Sequence, residues 1–400
     1  MNRILGLSSI PLDDKSAGAE RIGQLYRHLP EEFQTTLVTL GGVRGGGGWK
    51  KEGALQVVRI PSPAQTLFYY VQRARLSPFF QVARFHRRFA LGAAPYLSAP
   101  FDLVQFDSLW LTPWAAKLPR KTPVVYGSHN FETDWYEGEI RRYPFRSFHA
   151  RTLSRLEREA VLRADRVLAT TEEDREKFVR SFGVPEERVR VVPNGYDASR
   201  FRPVSDEERM RVRRALGLPE EGRIALFAGS RVGPNEEAVE SIVRSVAPKG
   251  PEDLLYVVAG SVGERYGKGR KGKVHFTGPV PDILPYFQAA DIGLNPIRLG
   301  SGSNIKLLQY LGAGLAVLST DFGMRGFDDL RAHVTVARID RFHYYLDRVM
   351  PDPAAVHAVQ SRHSWVSASA QLARVYHDLL GADSKSPPER SSESFPEGSP

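Results

Sequence analysis

The chain has 400 residues, enough for two cores of similar size rather than one. Its composition is globular, 42% apolar and 25% charged, and no window approaches the roughly 20 consecutive apolar residues of a membrane-spanning helix. The lack of cysteine excludes disulfides, thiolate nucleophiles and cysteine-based metal sites, while a formal charge of +9 favours phosphate-bearing partners or simply serves solubility.

The opening MNRILGLSSIPLDD reads as a first strand, Arg3–Leu7, not a signal peptide. Short apolar runs follow at Thr36–Thr39, Leu103–Phe106, Val124–Gly127, Arg166–Ala169 and Val189–Val192. The glycine-rich Gly41–Gly48 lacks both the G-K-[ST] ending and the G-x-G-x-x-G register of phosphate loops, and reads as a strand connection. Leu67–Phe89 interleaves aromatic residues with Arg73, Arg75, Arg84, Arg87 and Arg88. Arg141, Arg142, Arg146 and Arg151 form a second basic cluster with Tyr143, Phe145 and Phe148. Such surfaces suit anionic lipid headgroups; arginine-faced helices are the plainer reading. No zinc-finger spacing, RNA-recognition signature or isolated basic arm points to nucleic acid.

A polar helix, Asp206–Leu216, opens a second series of strands: Ile224–Ala228, Leu255–Ala259, Val274–Thr277, Ile292–Asn295 and Ala316–Ser319. The alternation predicts an α/β protein of two doubly wound, parallel-sheet domains facing a cleft, with ligands at the carboxyl ends of strands. The expected division is residues 1–200, residues 201–364, and a helix at 365–381 that completes the first domain. Residues 382–400, rich in Ser, Pro, Glu and Gly, are expected to be disordered. The small-residue loop Gly300–Asn304 opens directly into a helix, Ile305–Gly312, carrying Lys306 in its first turn. A flexible loop feeding a helix start after a strand offers backbone N–H groups to a polyanion, and the lysine adds a cation.

Several motifs in order resemble one family. They are Ala17-Gly18-Ala19-Glu20-Arg21-Ile22; Ser128-His129-Asn130-Phe131-Glu132; Leu156-Glu157 with Ala164-Asp165-Arg166-Val167; and Val192-Pro193-Asn194-Gly195-Tyr196-Asp197 with Phe201 and Pro203. Phe227-Ala228-Gly229-Ser230, the stretch Val274–Gly323, and His363-Ser364-Trp365 with Tyr376 continue the series. Together they resemble glycosyltransferases of the GT-B fold, most closely the large retaining family 4. That resemblance implies two Rossmann-like domains and transfer of a sugar from a nucleotide sugar to a hydroxyl. It also implies an acceptor-side first domain and a donor-binding second one.

Two departures stand out. The family's paired glutamates fall at Ser301 and Gln309. Its diphosphate-gripping Arg and Lys fall at Ser230 and Asn235, with Arg231 adjacent. The resemblance casts His129 and Lys306 as catalytic. It casts Gly18, Ser230, Arg231, Gly300, Ser301, Gly302, Ser303, Asn304 and Gln309 as donor-binding residues. No D-x-D motif is present, so no metal or other cofactor is expected, the nucleotide sugar being a substrate. His129 also fits a capping or core role, Lys306 a solvated helix start and Gly18 an ordinary turn, while Glu132 and Asp134 read either as positioning an acceptor hydroxyl or as solvated loop carboxylates. Pro193-Asn194-Gly195 is expected to be a hinge turn, because Asn-Gly favours positive φ. The expected partners are a nucleotide sugar, a carbohydrate or lipid-linked acceptor, and a peripheral membrane contact through the basic-aromatic surface. The expected location is cytoplasmic, extending to the inner face of the membrane. Rival readings are a nucleotide-sugar-binding or scaffolding relative that has lost turnover, and a GT-B epimerase.

Overall fold

The computed structural model describes residues 1–14, 16–41, 48–83, 92–119 and 121–382. The first half comprises β1 (Asn2–Ser8), α1 (Ala17–Arg27), β2 (Phe33–Gly41), β3 (Gly48–Glu52), β4 (Leu55–Pro61), α2 (Pro63–Arg73), β5 (Leu103–Phe106), β6 (Val124–Gly127), α3 (Glu132–Ile140), α4 (Arg146–Arg163), β7 (Arg166–Ala169), α5 (Glu172–Phe182) and β8 (Val189–Val191). The second half comprises α6 (Asp206–Ala215), β9 (Arg223–Ala228), α7 (Gly233–Ser241), β10 (Leu254–Ala259), β11 (Gly269–Lys271), β12 (Val274–Gly278), α8 (Leu284–Ala289), β13 (Ile292–Asn295), α9 (Ile305–Gly312), β14 (Ala316–Ser319), β15 (Thr335–Val336), α10 (Pro353–Arg362) and α11 (Trp365–Ala382).

Two sheets result, ordered β3-β4-β2-β1-β5-β6-β7-β8 and β11-β12-β10-β9-β13-β14-β15. The inner strands are short because both faces are covered: every residue of β5, β6, β13 and β14 is buried. Helix starts follow local chemistry. The Ser16 and Thr171 hydroxyls accept from the N–H groups of Ala19 and Asp174, capping α1 and α5.

The sheets are parallel as expected, except at one edge of each. β3 pairs with β4, and β11 with β12, in antiparallel fashion. Both extra strands are edge strands with polar sequences, GWKKE and GRK, so they show no buried-strand signature. The interior of the glycine-rich connection, residues 42–47, lies outside the described residues, as do 84–91 of the basic-aromatic segment and 383–400 at the carboxyl end.

The chain crosses between the halves twice, side by side. Tyr196 N–H donates to the His363 carbonyl at 3.0 Å, and Tyr196 forms a parallel bridge with Ser364. This corrects the hinge-turn expectation for Asn194-Gly195, neither of which has positive φ. Glycine is needed at 195 for proximity. A Cβ there would lie 2.6 Å from the Trp365 nitrogen and 2.8 Å from the Ser364 carbonyl carbon.

After the second crossing, α11 returns to the first half. Trp365, Leu372, Val375, Tyr376 and Leu379 join a core with Ile22, Leu25 and Phe33. Burying Leu372, Val375 and Leu379 stabilises this docking by about 1.5–3 kcal/mol apiece. The Tyr376 hydroxyl donates to Gln105 Oε1 at 2.8 Å. Gln105 Nε2 donates to Asp107 at 2.6 Å, and the Tyr26 hydroxyl reaches the other Asp107 oxygen at 2.7 Å.

Candidate donor site between the two sheets

The site assembles at the carboxyl ends of β9 and β13 on one side and of β6 on the other. β9 runs into Gly229-Ser230-Arg231. Asn235, in the first turn of α7, folds back so that its amide donates to the Ser230 carbonyl at 2.9 Å. The Asn235 amide oxygen then accepts from Lys306 Nζ at 2.8 Å. Lys306 also places its ammonium 4.6 Å from the centroid of the Phe227 ring, within cation–π range. The solvated-lysine alternative therefore fails. Burial lowers the Lys306 pKa to about 7, since nearby apolar surface disfavours the charged form. Lys306 and Gln309 are the two residues of α9 that keep partial exposure, and their i, i+3 spacing puts them on one face.

Arg231 is turned elsewhere. Its Nε contacts Glu236 at 3.1 Å and its Nη1 contacts Glu264 at 3.5 Å, so it does not join the Lys306 group. Ser230 is exposed beside it.

On the opposite wall, His129 Nε2 lies 2.9 Å from the Asp107 carbonyl. A carbonyl can only accept, so Nε2 carries the proton and Nδ1 is the acceptor nitrogen. Burial, with the nearby Arg21 charge, lowers the His129 pKa to about 4 and keeps the ring neutral. Gly18 sits in the first turn of α1, where a Cβ would lie 3.0 Å from the Ile10 side chain and 3.9 Å from His129 Cε1.

Residues 300–304 join the walls. Ser301 Oγ accepts from the Phe131 N–H at 2.8 Å and donates to Asp174 at 3.2 Å. Gly302 N–H donates to the other Asp174 oxygen at 3.1 Å. The Asn130 amide nitrogen donates to the Ser301 carbonyl at 3.2 Å and the His129 carbonyl at 3.1 Å. Ser303 Oγ accepts from Asn194 at 2.8 Å, and Asn304 donates to Asn295 at 2.5 Å. Gly300 and Gly302 have φ of 128° and 72°. Gly302 is further required by space, because a Cβ would lie 2.6 Å from the Asn130 amide.

Sequence reasoning missed the partners of this loop. Asp174 is buried and forms an ion pair with the equally buried Arg325 from the second half. Burial raises the Asp174 pKa, with Arg325 and the Ser301 hydroxyl opposing. Buried Arg21 spans the crossing, donating to the carbonyls of Val192 and Pro193 at 2.7 and 3.1 Å and to the Asn194 side chain at 2.9 Å. Thr171-x-x-Asp174 gave a signal, but it reads as a local helix cap. The solvated reading of Glu132 is also corrected. Glu132 is buried in the first turn of α3 beside Glu157, and burial together with that neighbour pushes its pKa well up. Glu157 caps the same turn, accepting from the N–H groups of Glu132 and Thr133 at 2.6 and 3.0 Å. Asp134 instead pairs with Lys177.

Solved structures of the same shape place the fold. The chain superposes on sucrose-phosphate synthase from Thermosynechococcus elongatus with a TM-score of 0.66 at 16% identity, covering 95% of this chain and all of that one. For an α,α-trehalose-phosphate synthase (UDP-forming) from Burkholderia vietnamiensis the TM-score is 0.69 at 14% identity, covering 96% and 99%. For Anabaena HepE in complex with UDP and glucose it is 0.64 at 14% identity, covering 94% and 100%. The class is GT-B: two Rossmann-like domains with a cleft between them.

The family is set by sequence. Residues 16–195 match the glycosyl transferase 4-like domain, and residues 222–343 match glycosyl transferases group 1. The chain belongs to this glycosyltransferase family. Among curated relatives, D-inositol 3-phosphate glycosyltransferase of Streptomyces bingchenggensis is 28% identical over 320 residues, covering 70% of this chain and 67% of the relative. That of Streptomyces avermitilis is 30% identical over 250 residues, covering 56% and 51%. The chain thus spans between about half and two thirds of these relatives' length.

Proposed function

We propose that the protein transfers a glycosyl group from a nucleotide sugar to a hydroxyl acceptor with retention of anomeric configuration and without a metal. Its pathway, on this reading, builds a polysaccharide or glycoconjugate. The carrying observation is Lys306, a lysine with a pKa near 7, held beside the first turn of α9 at the carboxyl ends of β9 and β13. As the glycosidic bond breaks, negative charge grows on the departing diphosphate. An ammonium in a partly desolvated site, beside helix N–H donors, opposes that charge more strongly than it would in water. Binding the diphosphate restores the lysine's proton. His129, neutral with Nδ1 as acceptor, is suited to orient a sugar hydroxyl rather than to donate charge. Gln309 offers the ribose an amide that can both donate and accept. Among the described residues, no three His, Asp or Glu side chains are grouped to hold a metal.

One observation favours the non-catalytic reading. Ser301 and Gly302 are already engaged by Asp174 and the Phe131 N–H, and must exchange partners before a donor can use them. Incubation with a panel of nucleotide sugars and candidate acceptors, with and without excess chelator, tests the proposal. Release of nucleoside diphosphate that survives the chelator supports it. Donor binding without release supports the scaffold, and conversion to another nucleotide sugar supports the epimerase. Loss of turnover restored only by Mg²⁺ or Mn²⁺ would overturn metal independence.

The described basic-aromatic surface exposes Leu67, Tyr69, Tyr70 and Leu76 near α2, and Phe145 and Phe148 at α4. These support a peripheral contact with anionic membrane, and with it a place at the inner membrane face.

A further inference from the structure

Between the halves lies an open polar groove of about 380 Å³, whose arginines are solvent-exposed. Arg73, Arg75, Arg142 and Arg231 line it, with Glu139 and Glu236 as the acidic residues. Two carboxylates line it beside the four guanidiniums, and Glu264 also holds Arg231 at 3.5 Å, so the surplus is one positive charge.

The carboxylates are already engaged. Glu139 meets Arg142 at 3.2 Å. Glu236 meets Arg231 at 3.1 Å and Arg142 at 3.6 Å. Among the described residues, Arg73 and Arg75 have no carboxylate partner, and Arg73 reaches only the Tyr69 hydroxyl, at 3.4 Å. Arg75 is the more telling of the two. It adopts φ of 56° just past the end of α2, where its N–H donates to Gln72 at 2.9 Å and the next N–H to Val71 at 3.1 Å. That position normally takes glycine, because a Cβ is disfavoured there. The turn alone does not call for arginine; what arginine adds is a guanidinium on the groove wall.

The groove adjoins the donor wall. Glu236 directly follows Asn235, whose amide holds Lys306. Three of its four arginines come from the first half.

We propose that this groove binds a phosphate group carried by the acceptor, so that the acceptor is a phosphorylated sugar or a phosphate-linked lipid. The inference rests on the transferase reading, which makes the first half the acceptor side. A phosphate group brings the negative charge that this surface lacks, and Arg73 and Arg75, without a carboxylate partner among the described residues, can each offer it paired N–H donors.

The test is calorimetric titration of the full chain with glucose 6-phosphate and with glucose, each in saturating UDP, and of UDP alone. A parallel arm measures binding to phosphatidylcholine vesicles with and without phosphatidic acid. Arg75→Gly is the informative variant, since glycine takes the same backbone conformation without strain; Arg73→Ala/Arg75→Gly removes both unpaired cations. Saturable binding of glucose 6-phosphate but not glucose is expected, weakened at least tenfold in the double variant, with UDP affinity kept within twofold. Vesicle binding that needs phosphatidic acid, and falls equally in the double variant, would assign the phosphate to a lipid. Unchanged phosphate binding in the variants, equal binding of glucose, or vesicle binding indifferent to phosphatidic acid would overturn the proposal. So would a parallel loss of UDP affinity, which would return the groove to the donor. Failure of UDP to bind while glucose 6-phosphate still binds would sink the transferase reading and leave the phosphate site standing.

Discussion

Lys306 joins the local sequence to the chemistry. With its pKa near 7, the free protein holds the lysine partly deprotonated at neutral pH. A bound diphosphate stabilises the protonated form, so binding should take up a proton from pH 7 upward to the raised pKa of the complex. Affinity should accordingly fall as pH climbs above 7. Titrations in buffers of different ionisation enthalpy measure this uptake, and Lys306→Met should abolish it. That variant should also weaken diphosphate binding by about 1.5–3 kcal/mol, the worth of a charged hydrogen bond. An unaltered uptake in Lys306→Met would place the titrating group elsewhere. Asp174 and Arg325 are the corresponding structural pair. Removing the carboxylate with Asp174→Asn leaves Arg325 buried without its counter-charge, and should cost about 3–5 kcal/mol in a denaturant melt. Adding Arg325→Met should recover most of that loss; simple additivity of the two substitutions would mean that the pair is not coupled.

At the scale of elements, the loop at residues 300–304 and α9 behave as one unit. Gly302→Ala should be destabilising on two counts: a left-handed backbone costs roughly 1–2 kcal/mol for a residue with a Cβ, and the new methyl meets the Asn130 amide at 2.6 Å. Faster hydrogen exchange through the loop would report its release from the first half, and native exchange rates would contradict the packing described. Gln309→Leu should weaken nucleotide binding by roughly 1–3 kcal/mol if its amide serves the ribose, and Gln309→Glu should not. The same scale shows what the residue pattern made legible. Buried strands such as β5, β6, β7, β13 and β14 stand out as short apolar runs between turns, and α9 stands out by its loop and first-turn lysine. The edge strands β3 and β11 do not, because their described residues are exposed or only half-buried on both faces and need no apolar side chains. The cross-cleft partners of the loop were hidden for another reason. Asp174 and Arg325 are 151 positions apart, and each has an ordinary local explanation, a helix cap and a solvated turn. Only the folded chain shows that Arg231, next to the expected phosphate position, is held by Glu236 and Glu264.

At the scale of the whole molecule, α11 is a structural member of the half it returns to. Deleting residues 365–382 would expose Ile22, Leu25 and Phe33 and strip Gln105 of its Tyr376 partner. The shortened chain should aggregate or fail to melt cooperatively, whereas a merely decorative helix would leave a sharp transition. The paired crossings carry a further consequence. Because Tyr196 and Ser364 sit against each other, severing one connection leaves the other as a short leash from the same point. The effective concentration of one half for the other should therefore stay high after a cut, since a leash anchored at the contact wastes little of its length. A chain nicked between Asp197 and Pro203 should remain a single particle in size-exclusion chromatography. A permuted chain that begins at the nick and joins the old termini through a flexible linker should close its cleft by the same pivot.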